Sequence, residues 1–151
     1  MVKCLDVDIN PSQFPSLDTE GFTKTSEATS AYNCFAWSLG NDTRFWAPTY
    51  GGFMTYYWPP DAPFDRKVST FQLIFEREGY EVCASPSLEL GFEKVAFYVQ
   101  GGLVTHAARQ IDDGTWTSKL GSGIDLSHTL AGLEGPLYGS VACVMRRPTL
   151  P

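Results

Sequence analysis

No stretch of this sequence approaches the roughly 18 consecutive apolar residues of a membrane-spanning helix. The first residues, MVKCLDVDINPSQF, hold no apolar run of the kind that directs secretion. Basic residues are scarce: 11 Lys and Arg stand against 17 Asp and Glu, the formal net charge is −6, and the one basic pair is Arg146-Arg147. Phosphate backbones and anionic lipid surfaces are bound by Lys and Arg that displace counterions, so neither nucleic acid nor membrane is an expected partner. The four cysteines, Cys4, Cys34, Cys83 and Cys143, form no CxxC pair, which argues against a structural zinc held by closely spaced ligands. No metal or other cofactor is expected. The thiols read as reduced and the protein as cytoplasmic, while delivery by a dedicated secretion machine would leave no mark of this kind.

What is present is enough apolar material for a real core: 43% of the 151 residues are hydrophobic and 14% aromatic, at a length usual for one domain. Residues 1–26, rich in Pro, Ser, Thr and Asp, read as an extended arm. SAYNCFAWSLGN then sets small and apolar residues at helical spacing, with Ser30 or Asn33 as cap and Gly40-Asn41 as stop. That predicts a short helix with Cys34 in its first turn. Residues 42–63 form an aromatic loop broken by Pro48, Gly51, Gly52, Pro59 and Pro60. Residues 67–79 place Val68, Phe71, Ile74 and Phe75 on one helical face.

The second half turns to strands. Segments 93–100, 103–111 and 115–120, joined by Gly101-Gly102 and Asp112-Asp113-Gly114, predict an antiparallel meander. A short helix over 125–133 and a final strand over 138–147 complete the reading. The expected fold class is α+β in a single domain over 1–151: an arm (1–26), a helical part with the aromatic loop (27–80) and an antiparallel sheet (93–148).

Chemistry points to one pair. A thiol attacks only as thiolate, and the first turn of a helix favours negative charge; of the four cysteines only Cys34 is placed there. Imidazole is the base suited to neutral pH, and the chain has two histidines, His106 and His128. His106 lies in the middle of the strand LVTHAARQ, where a polar residue among small ones is unusual filler. His128, in DLSHTLAGLEG near a turn, reads as structural.

These residues also carry a resemblance. YNCFAWSLG, the Trp-Pro loop, THAARQIDDGTWTSKLG, LEGPLYGSV and the closing RRP resemble a largely uncharacterised bacterial family of papain-like, NlpC-type cysteine-peptidase character, from about residue 30 onward. The resemblance implies N-terminal helices packed on a small antiparallel sheet, with Cys34 as nucleophile and His106 as general base. It implies action on amide bonds, with amidase and acyl-transfer variants. A third polar residue would orient the imidazole through its second nitrogen; Ser118 is favoured, with Lys119 and Gln110 nearby. Lys119 also reads as a contact for a substrate carboxylate or as a surface charge, and Gln110 as a substrate contact on the His106 face. The backbone N–H of Cys34, with Tyr32 or Asn33, would form the oxyanion hole. Trp46 and Trp58 would wall a substrate groove, and Arg109 would face solvent or pair with a carboxylate.

Two functions compete at this level. One is a cysteine hydrolase or acyltransferase acting on an amide or thioester of a peptide or protein, with a bacterial effector or toxin, and hence an inhibitor or immunity protein, as one setting. The other is an inactive module that uses the same surface to hold a peptide or protein partner. A Cys–His metal site is disfavoured, because two ligands stand where three or four are needed.

Overall fold

A computed structural model describes residues 14–26, 33–39, 46–48, 57–120 and 124–149. The elements in chain order are α1 (Leu17–Glu20), β1 (Phe22–Ser26), α2 (Cys34–Ser38), α3 (Val68–Arg77), β2 (Glu81–Cys83), β3 (Phe92–Gln100), β4 (Leu103–Gln110), β5 (Trp116–Lys119), β6 (Asp125–His128), α4 (Leu130–Leu133) and β7 (Ser140–Pro148). The seven strands form one sheet in the order β1-β6-β5-β4-β3-β7-β2, and every neighbouring pair is antiparallel.

Local chemistry explains the turns. Gly101 (φ 62°) and Gly102 (φ 81°) both occupy the left-handed region, as a tight two-residue hairpin between β3 and β4 requires. In α3 the residues Phe71, Ile74 and Phe75 are buried along one stripe, and Gly79 at φ 92° ends the helical segment.

Successive strand residues point to opposite faces, so the sheet carries two apolar layers. Ala96, Tyr98, Ala108, Trp116, Leu126 and Val144 pack with Phe14, Leu17 and Leu133 from the side of α1 and α4. Val95, Phe97, Val104, Ala107, Cys143 and Met145 pack with Cys34, Phe35, Phe71, Ile74 and Phe75 from α2 and α3.

This is not the expected papain-like α+β arrangement. The protein is mainly an antiparallel sheet, and its helices are short: α2 has five residues and α3 ten. Three segments account for the difference. The arm supplies β1, which pairs with β6. Residues 81–83 add β2 beside β7. The segment expected to be a helix over 125–133 divides at Thr129, whose side chain accepts the Gly132 N–H and caps α4 after β6 has ended. No helix of the described residues is long and apolar enough to cross a membrane.

Candidate functional site

The sheet forks between β4 and β5. These strands pair only at Arg109↔Thr117 and Gln110↔Trp116. Below that point the free side of β4 is met by Arg66, whose carbonyl accepts the Val104 N–H at 2.8 Å, and by α2. Trp37 pins the helix at the fork: its Nε1 donates to Thr117 Oγ1 at 3.1 Å, and that hydroxyl donates to the Arg109 carbonyl at 3.1 Å.

Asn33 fixes the start of α2. Its Oδ1 accepts the N–H groups of Ala36 (3.4 Å) and Trp46 (2.9 Å), and its Nδ2 donates to the Trp46 carbonyl at 2.6 Å. The residue thus caps the helix and ties it to the segment at 46–48.

Cys34 follows at the first helical position and is buried. Burial pushes its thiol up to about 12, against the opposing pull of the Ala107 N–H, the positive charge of Arg66 and the amides of Phe35 and Cys34 itself. Of these amides, that of Ala107 belongs to the residue after His106 in β4.

His106 is completely buried, and neither ring nitrogen has a hydrogen-bond partner among the described residues. No hydrogen bond joins it to Cys34. Its ring lies flat against Tyr138, with centroids 4.1 Å apart and planes 9° apart, and Tyr98 meets it edge-on at 5.4 Å. Burial, and secondarily the charge of His128, holds the imidazole well below its ordinary pKa. In this arrangement the thiol keeps its proton and the imidazole is neutral.

Ser118 is fully buried and bonds to His128, not to His106: its Oγ donates to Nε2 at 2.6 Å, while Nδ1–H of His128 donates to the Thr129 carbonyl at 2.6 Å. Burial brings His128 down to about 4, with the Thr129 bond opposing. Gln110 shares the His106 face but donates to Pro86 (2.9 Å) and Gly114 (3.4 Å), far from the imidazole. Lys119 is fully buried opposite the buried Asp125 and is not a surface charge.

Of the expected groove residues, Trp46 packs on Tyr57 at 4.7 Å, and Trp58 packs on Phe71 at 5.6 Å and donates to the Pro63 carbonyl. Both serve the α2–α3 layer. Tyr32 lies outside the described residues, as does most of the aromatic loop. Arg109 is half-buried over the Trp37 ring at 5.5 Å. The sequence reading missed Tyr138. The segment LEGPLYGS signals a turn, and nothing in it says what the tyrosine covers.

Fold and site together define an antiparallel-sheet domain in which a cysteine meets the fork in the sheet from the α2–α3 layer, while a histidine and a tyrosine stack in the layer of α1 and α4. Residues 23–146 match the model of a domain of unknown function (DUF7689), and the chain belongs to that family. No curated protein matches the chain, and no solved structure does.

Proposed function

We propose that the domain is a cysteine-dependent hydrolase or acyltransferase acting on an amide or thioester bond, with Cys34 as nucleophile and His106 as general base. The observation that carries this reading is the imidazole of His106, wholly buried with neither nitrogen bonded among the described residues, on the strand whose Ala107 N–H pulls on the Cys34 thiol. A buried polar ring with no partner is costly, and sites that retain one usually use it.

In this reading the pair rests neutral. Substrate binding brings Sγ–H and an imidazole nitrogen together, and the proton passes from sulfur to nitrogen. The thiolate attacks the carbonyl carbon, and the carbonyl electron pair moves to oxygen, facing the amides of Cys34 and Phe35 at the start of α2. His106 then returns the proton to the leaving amine or thiol, leaving an acyl group on sulfur for water or another acceptor.

A binding module without chemistry is the second reading, favoured by the buried thiol that is pushed up to about 12. Iodoacetamide labelling of the full chain from pH 5 to 10, read by mass spectrometry on the Cys34 peptide, separates the two. The enzyme reading expects alkylation at neutral pH, because His106 takes the thiol proton as the sulfur attacks, and its loss in His106→Ala. A Cys34 that stays inert to pH 10 in both proteins overturns it.

A further inference from the structure

Orientation of a catalytic imidazole is normally supplied by a polar group on its second nitrogen. Here neither nitrogen of His106 is bonded among the described residues, and Ser118, the residue placed to serve, is bonded to His128. Something else must hold the ring.

We propose that Tyr138 is the positioning residue for His106, fixing the imidazole by face-to-face stacking and stabilising its protonated form. This rests on the reading of Cys34 and His106 as a catalytic pair.

Several features build the clamp. The rings lie 4.1 Å apart and nearly parallel; with Tyr98 edge-on at 5.4 Å, rotation of the imidazole is blocked on its face and at its rim. Thr105, the residue before His106, reaches both flanking tyrosines: its Oγ1 lies 2.5 Å from the Tyr138 carbonyl and 3.2 Å from the Tyr98 carbonyl. The register of β3 against β4 slips at this point, passing from Tyr98↔His106 to Val99↔Val104, so Thr105 is the extra residue of a bulge. Tyr98 is anchored in turn by its hydroxyl, which donates to the Leu130 carbonyl at 2.7 Å.

Tyr138 is delivered by a turn that only glycine permits. Gly135 and Gly139 exchange backbone hydrogen bonds of 3.0 and 2.8 Å. Gly139 has φ 79°, and a Cβ there would stand 2.1 Å from the Val99 carbonyl oxygen. The close approach brings the loop down onto β3 at the bulge, which sets the tyrosine over the histidine. The Tyr138 phenol is raised first by burial and next by the charge of Cys34, so it lies within electrostatic reach of the sulfur. The titratable groups around His106 are thus Tyr98 from β3, Tyr138 from the loop before β7 and His128 from β6, and Cys34 from α2 lies within reach of Tyr138. Once His106 accepts the thiol proton, the Tyr138 ring face attracts the resulting cation.

The test uses the same labelling profile. Tyr138→Leu is expected to slow Cys34 alkylation at pH 7 by about tenfold. Tyr138→Phe, which keeps the ring, restores the profile. If His106→Ala shifts the profile while Tyr138→Leu matches the unchanged protein, the clamp is overturned and the catalytic pair survives; if His106→Ala changes nothing, both fall. Should Tyr138→Leu not fold, proton NMR of the unchanged protein decides, since only two histidines contribute imidazole signals. Ring protons of His106 displaced upfield relative to those of His128 support the stack, and their absence overturns it.

Discussion

The two histidines occupy the same apolar layer and are equally hidden from water, yet their surroundings differ in kind. His128, at the end of β6, has both nitrogens bonded, one to Ser118 and one to the Thr129 carbonyl. His106, in the middle of β4, has neither bonded among the described residues. One ring is held by hydrogen bonds and the other by aromatic faces. A satisfied ring contributes to structure; an unsatisfied one is tolerated at a cost and is left free to take a proton. Burial alone, shared by both, does not distinguish a bonded histidine from an unbonded one.

The largest effect expected from breaking this contrast comes from Gly139→Ala. The new methyl group must enter the space of the Val99 carbonyl, on a backbone with positive φ. A cost of about 4 kcal/mol is expected, because neither the strand nor the turn can yield cheaply. Urea unfolding measures it. A loss under about 1 kcal/mol would mean that the loop is not held against β3 and that the His106 stack has no such foundation.

Acid unfolding sharpens the contrast next. A histidine whose pKa is depressed in the folded state takes up protons first in the unfolded chain, so stability is present above about 6.5 and falls as pH falls. His128, brought down from 6.5 to about 4, costs about 3 kcal/mol across that window. His106, also well below its ordinary value, adds its own slope for as long as it stays neutral. The depressed carboxyls of Asp65, Glu89 and Asp113 start from ordinary values of 3.8 to 4.5, so their loss begins lower. Urea midpoints between pH 7 and 5 therefore report the histidines. A flat profile there would show that one or both rings reach water.

Much of the meander and of α3 was legible in the sequence, because glycine pairs and a clear apolar stripe mark them. The arm strand β1 was not. FTKTS alternates over too few residues, and its pairing with β6 lies about a hundred positions away. β6 and α4 merged into one expected helix because Leu126, Leu130 and Leu133 fall at helical spacing, and only the Thr129 cap divides them. At the site, Cys34 and His106 could be singled out from residue type and local context. The bond of Ser118 to His128 could not, since it depends on the register of β5 against β6. Tyr138 was invisible for a similar reason: its position over His106 is set by the absence of a side chain at Gly139 against a bulge some forty residues earlier.

The smallest effect is the most discriminating. Phenylalanine at position 106 keeps a flat ring between Tyr138 and Tyr98 and removes two buried nitrogens that have no partner. Replacing an unsatisfied polar group with an apolar one of similar shape is neutral or favourable, so His106→Phe is expected to stabilise the fold by about 1 kcal/mol and to remove its share of the acid slope. The same change at position 128 would strand the Ser118 hydroxyl and the Thr129 carbonyl and would destabilise. His106→Phe should also end the neutral-pH labelling of Cys34, a gain in stability at the expense of reactivity that marks a residue kept for chemistry. If His106→Phe instead lowers the urea midpoint as much as His128→Phe does, His106 is bonded in solution after all, and the contrast between the two rings disappears.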